Sequence, residues 1–210
     1  MDFELDAVEA RVLGALLEKE IATPEYYPLS VNGLVNACNQ KSNRDPVVSY
    51  DDDTVEHALE SLRGKGLALR STGRDSRVPK HAQRFTEKFN LGRREAAILC
   101  VLLLRGPQTV GELRGRTERL YTFDDLEAVE STLRHLDESG FVTLLPRQPG
   151  FKEQRWAHLL CGAGPWPAQE GSETSAEPAP RSGLADRVAQ LEADLADLRS
   201  QFDDFRRRFE

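Results

Sequence analysis

The chain is poor in the residues that build metal centres and disulfide frameworks. Its three cysteines, Cys38, Cys100 and Cys161, are odd in number and widely scattered, which argues against a disulfide scaffold or a zinc site. The four histidines, His57, His81, His135 and His158, show no metal-like spacing. No glycine-rich phosphate loop and no nucleophile elbow occurs. Asp51, Asp52 and Asp53 read as a charge cluster at a helix start in preference to a divalent-ion site. The longest apolar run, Ala96 to Leu104, falls far short of the roughly 18–20 residues of a membrane span. The first residues, Met1-Asp2-Phe3-Glu4, lack the apolar stretch of a secretory signal. These absences lead us to expect a cytoplasmic protein that is not an enzyme, needs no cofactor and does not enter a membrane.

What the chain does have is one small module written twice. Val55, Glu56, Leu59, Leu62, Gly66 and Leu67 recur in the same spacing as Val129, Glu130, Leu133, Leu136, Gly140 and Phe141. Each set has the apolar stripe of a helix that ends at a glycine C-cap. Ahead of each lies a capped helix start. Leu29-Ser30 supplies an N-cap and half of a hydrophobic staple, and Thr109 with Glu112 forms a capping box. Ahead of these lies another apolar helix, around residues 5–19 and 91–104. In the first, Leu5, Val8, Val12, Ala15 and Leu16 share a face. After each glycine the pattern turns to strands, Leu67-Ala68-Leu69 in one case and Phe141 to Leu145 with Arg155 to Leu160 in the other. Helix, short helix, longer helix and β-hairpin is the order of a winged helix. The fold class expected is mainly α with small β wings (α+β), as two tandem winged-helix domains, residues 1–88 and 89–161.

Residues 162–183 are Gly, Pro, Ser, Ala and Glu with little to bury, and read as a flexible linker. In residues 184–210 the pattern changes. Leu184, Val188, Leu191, Leu195, Leu198, Phe202, Phe205 and Phe209 keep a strict heptad spacing. As a helix this segment would run about 39 Å. A parallel pair would set Arg187 against Glu192 and Asp194 against Arg199, whereas a centred antiparallel pair would oppose Arg187 to Arg208. The expectation is a homodimer through a C-terminal coiled-coil helix. The alternative is a helix folded back on its own chain.

Several stretches resemble a known family. They are Glu9 to Leu13, Asn36 to Pro46, Leu103 to Thr109, Arg116 to Tyr121 and Leu145 to Gly150. Together they are similar to the YceH-like family of bacterial proteins. The resemblance covers roughly residues 5–160. It implies a tandem winged-helix fold and a soluble protein, and it carries no catalytic or binding residues with it.

The net charge is −7, but it is sorted along the chain. Residues 61–85 carry seven basic side chains and one acidic one, while residues 1–60 carry four and thirteen. The basic side chains fall on the hairpins. Arg70, Arg74, Arg77, Lys80, His81 and Arg84 crowd the first, and Arg147, Lys152 and Arg155 mark the second. With Lys41, Asn43 and Arg44 before the third helix, they form the candidate set for double-stranded DNA. The alternative is that the hairpin charges are solvated or paired with nearby acidic helices, and that Asn36–Arg44 is a self-contained turn. Arg114, Arg116 and Arg119 read mainly as structural. The outer faces of both third helices are net negative: Asp53, His57 and Glu60 on one, Glu127, Ser131, Arg134 and Glu138 on the other. Such faces repel phosphate, which disfavours the usual major-groove mode. The function expected is therefore a DNA-binding, transcription-regulator-like one through the basic wings; the alternative is a protein-interaction scaffold using the acidic winged-helix faces and the coiled coil.

Overall fold

The computed structural model describes residues 3–71, 78–147 and 153–162. The remainder of the expected linker and the whole heptad segment, Leu184 to Phe209, lie outside the described residues. The fold is α+β, about half helical among those residues, with two small antiparallel sheets.

Helix α1 (Ala7–Ala22) starts at Asp6, whose side chain accepts from the Glu9 amide at 2.8 Å while the Glu9 carboxylate accepts from the Asp6 amide at 2.8 Å. This reciprocal cap sets the start two residues later than the apolar spacing implies. A one-turn 3₁₀ segment follows (Pro24–Tyr26). Helix α2 (Val31–Cys38) is capped by Ser30, and α3 (Asp52–Gly64) by Asp51, each side chain accepting from an amide three residues on. Val55, Ala58, Leu59 and Leu62 of α3 turn inward. Gly66 then takes a φ of 69°, and the Leu67 amide donates back to the Leu62 carbonyl at 2.8 Å, which reverses the chain into a hairpin. Its strands β1 (Ala68–Ser71) and β2 (Lys80–Gln83) pair from Ala68↔Gln83 to Ser71↔Lys80.

A single helical turn, α4 (Phe85–Lys88), leads into the second pass. Helices α5 (Arg93–Arg105), α6 (Val110–Thr117) and α7 (Leu126–Glu138) precede strands β3 (Val142–Leu144) and β4 (Trp156–His158). The Thr109–Glu112 capping box forms as its sequence indicates. Gly140 adopts a φ of 74°, and the Phe141 amide returns to the Leu136 carbonyl at 2.9 Å, the same reversal as at Gly66. Each hairpin is also stitched to the residue before the N-cap of its module's second helix. Leu29 exchanges two backbone bonds with His81, and Gln108 exchanges two with Trp156.

The two modules share one core. Residues of both belong to one compact unit and one continuous apolar cluster. Its axis is the contact of α1 with α5. The sequence pattern gives α1 a single apolar face; the structure buries nearly its whole circumference, from Glu9 to Glu18, because α5 lies along the back of it. Gly14 permits the approach: a Cβ there would lie 2.9 Å from Leu104 Cδ2 and 3.0 Å from Leu103 Cβ. The Cys100 thiol donates to the Gly14 carbonyl at 3.5 Å across the same gap. At the other end of the unit, Phe85, Phe89 and Phe141 meet edge to face at 5.2–5.8 Å, and the Leu5 amide closes on the Leu160 carbonyl at 2.8 Å.

Overfilling this seam should be costly. Gly14→Val is expected to destabilise the protein by about 1–3 kcal/mol, the usual cost of crowding a packed core. At roughly 2–4 °C per kcal/mol for a chain of this size, thermal melting should shift by several degrees. An unchanged melting temperature would mean that α1 and α5 do not meet at this residue.

Candidate functional site

The segment before α3 is held from beneath by α1. Arg44 is fully buried, and its guanidinium grips both oxygens of Glu18, at 3.0 and 2.6 Å. It also donates to the Ala37 carbonyl at 2.8 and 3.1 Å and to Gln40 Oε1 at 3.1 Å. Arg11 donates to the Cys38 and Pro46 carbonyls at 3.2 and 2.6 Å. The Asn39 side chain closes the loop onto Tyr50, donating to its carbonyl and accepting from its amide, both at 2.8 Å. This is the self-contained turn, and it removes Arg44 from the nucleic-acid candidates: every donor of that side chain is spent internally. Asn43 is exposed, with φ 58°, and its Oδ1 accepts from Arg105 Nη1 at 2.9 Å. Lys41 stays exposed.

The first hairpin keeps fewer free cations than its composition implies. His81 is buried, and burial followed by the like charges of Arg70 and Arg63 pushes its proton affinity down, so it is no cation for a phosphate at neutral pH. Arg84 pairs with Glu87 at 3.3 Å. Arg70 is exposed and Lys80 half-buried, while Arg74 and Arg77 lie outside the described residues. In the second hairpin Arg155 turns inward, donating to Glu112 Oε2 at 2.8 Å and to the Pro107 carbonyl at 2.9 Å. His158 enters the core, where burial lowers its pKa to about 4. Arg147 is exposed, and Lys152 lies outside the described residues. Arg44, His81 and Arg155 are thus internal groups, because acidic or carbonyl partners, or burial itself, reach them first, whereas Arg84 stays on the surface beside Glu87.

The open surface is acidic instead. A groove runs between the start of α2, the outer face of α3 and the first hairpin, bordered by Asp52, Glu56, His57, Glu60 and Arg63 and, across from them, Arg70 and Val78. Val78 is largely exposed at the groove's edge. The corresponding face of α7 presents Glu127, Glu130, Arg134 and Glu138, with Leu126 also exposed at its first turn. Among the described residues none of Glu56, Glu60, Glu127 and Glu130 forms an ion pair. The candidate binding faces are therefore the helices, with the hairpins as their edges.

Chemistry of other kinds finds little purchase. Burial pushes the Cys38 and Cys161 thiols up to about 12 and about 11, so neither is an activated thiolate. Among the described residues no group of three or more His, Cys, Asp or Glu is placed to hold a metal ion, and no helix is long and apolar enough to cross a membrane.

Residues 5–151 match a family model described as "Protein of unknown function, DUF480". The chain belongs to this family. It is 64% identical to a UPF0502 protein of Solibacter usitatus, with all of both chains covered. It is 54% identical to one from Opitutus terrae, over 93% of this chain and 83% of that one. A third, from Koribacter versatilis, is 53% identical over 94% and 92%. The match extends over both modules, so membership concerns the pair and not one module alone.

The Arg44–Glu18 pair gives this region a pH signature. Burial alone would raise the Glu18 carboxyl, but the hydrogen bond and charge of Arg44, aided by Lys19, outweigh it and hold the group below the ordinary carboxylate range. The stability it confers is complete above that range and drains as pH falls through the lowered value. Glu18→Gln should cost about 3–5 kcal/mol at neutral pH by stranding a buried guanidinium, and should flatten the acid limb of stability against pH. Chemical denaturation of both proteins from neutral to strongly acid pH measures this; parallel curves would contradict it.

Proposed function

We propose that the chain is a non-enzymatic binding protein built from two tandem winged helices, and that its main partner is a protein with a basic surface. The winged-helix assignment is supported by the order helix, helix, helix, hairpin, repeated twice, and by the bridge from each hairpin to the residue ahead of the second helix. One observation carries the choice of partner. Where a DNA-binding winged helix needs donors, the outer faces of α3 and α7 are net negative, Asp52, Glu56 and Glu60 outweighing Arg63 on one and Glu127, Glu130 and Glu138 outweighing Arg134 on the other. Against phosphate each would lose water and gain nothing; against lysine or arginine each gains a charged hydrogen bond. Leu126 and Val78 supply apolar contacts beside the charge. In this proposal the heptad segment 184–210 pairs two chains, so that faces are presented twice. A chain ending at Gly183 should then sediment at half the mass of the full protein, and equal masses would assign dimerisation elsewhere or deny it.

A second proposal stays in play because Lys41, Arg70 and Arg147 are exposed. These, with the hairpin cations outside the described residues, suit contact with duplex DNA by phosphate attraction. The two are separated by titrating the full chain with a lysine-rich peptide and with duplex DNA over a range of salt. We expect the peptide to bind, and a Glu56→Lys, Glu60→Lys variant to weaken it by tenfold or more. Indifference to that double reversal would remove the α3 face from consideration. Duplex binding with log K falling against log salt at a slope of about −3 or steeper would favour DNA instead.

A further inference from the structure

A second cleft, apart from both acidic faces, opens where α1, α5 and α6 meet. Its volume is about 250 Å³, with apolar walls from Val101, Leu104 and Leu120 and a rim of Arg105, Arg116 and Arg119. Three guanidinium groups converge there, and only Arg116 forms an ion pair among the described residues, with Glu112. Arg105 ends α5; one of its nitrogens donates to Asn43, and its Nε is buried without a partner among the described residues. Arg116 approaches Glu112 only to 3.4 Å, because that carboxylate is held more closely by Arg155 at 2.8 Å and by the Thr109 amide at 2.9 Å. Arg119 is exposed and makes no ion pair among the described residues. Two carboxylates also line the cleft. Glu18 is consumed by Arg44, which leaves Glu118 as the carboxylate of the lining that faces Arg105 and Arg119, while Glu112 and Asp45 act on Arg116 from beside the cleft.

Clustering like charges on a half-enclosed surface costs free energy unless an anion joins them. Burial lowers the proton affinity of Arg116; the charges of Arg105 and Arg155 add to this, and Glu112 and Asp45 oppose it. Arginine does not respond by deprotonating, so a bound anion is the available relief. Guanidinium forks suit the tetrahedral oxygens of phosphate, and a doubly charged monoester matches three cations better than a diester does. The apolar walls then accommodate a short carbon chain.

We propose that this cleft binds a small phosphorylated molecule, with its phosphate monoester held by Arg105, Arg116 and Arg119. The site borrows its walls from both modules: Glu18 and Ala22 come from α1, and the arginines from α5 and its sequel. A bound phosphate therefore fastens the seam between modules, and binding should raise the melting temperature of the whole unit.

Calorimetric titration of the full chain with inorganic phosphate and with glycerol phosphate, at constant ionic strength set by chloride, tests this. Saturable binding is expected, together with a rise in melting temperature. Arg105→Gln and Arg119→Gln should each weaken binding by about tenfold or more, the usual effect of losing a charged hydrogen bond. Gly115 on α6 also lines the cleft, and a Cβ there would meet nothing within 4 Å. Gly115→Leu should therefore fold normally, keep every charge, and abolish binding by filling the space. Binding that survives Gly115→Leu, or that persists undiminished in both arginine variants, would overturn the proposal. So would the absence of saturable binding at millimolar phosphate. A short duplex DNA included as a third titrant separates sources of phosphate: if it binds and the monoesters do not, the small-molecule site is refuted.

Discussion

The close approach of α1 to α5 at Gly14 sets the terms for the rest of the molecule. With α5 along one side and α2 and α3 along the other, α1 has almost no surface left for water. Its polar side chains are therefore buried, and each must find a partner or weaken the fold. Arg11 finds the Cys38 and Pro46 carbonyls, Glu18 finds Arg44, and Glu9 finds Lys65 at 2.6 Å. All of these partners lie at the end of α2, in the α2–α3 loop or at the end of α3. The helix at the centre thus dictates the shape of the loop outside it, and through that loop the direction in which α3 presents its outer face.

Charge follows the same logic. The cations that composition assigns to the hairpins are drawn inward where a carboxylate lies within reach, as Arg155 is by Glu112. Carboxylates on the outer faces of α3 and α7 outnumber the arginines that share those faces, Arg63 and Arg134. What remains outside is mostly negative on the helices. Of the positive groups, Arg105, Arg116 and Arg119 gather in the cleft beside α1 and α5. The two surfaces differ in character: one is broad and suited to another macromolecule, the other is small and enclosed on several sides.

Local features of this architecture were legible in the sequence. Ser30, the Thr109–Glu112 pair, Gly66 and Gly140 each act within a few residues of themselves, and each does in the structure what its spacing implies. Helix α1 was only half legible. A stripe of apolar residues marks one buried face, whereas Leu13 and Leu17 on the back are explained only by α5, far along the chain. The fate of individual arginines was less legible still. Nothing near Arg44 announces Glu18, and nothing near Arg155 announces Glu112, because both pairings are made by tertiary packing. The cleft at Arg105 escaped for the same reason. Its residues come from three helices, and Arg105 itself closes an apolar run where a solvated end is the natural assumption. The acidity of the third helices, by contrast, could be read directly, since the inward stripe leaves only the outward positions for charge.

The duplication visible in this chain has an unusual standing because α1 belongs to both halves of the core. Two copies joined by a tether can be inherited, lost or recombined one at a time. Copies that share a wall cannot, since removing either exposes the apolar side of the other. The smallest piece of this protein that could stand alone in a new setting is therefore the pair.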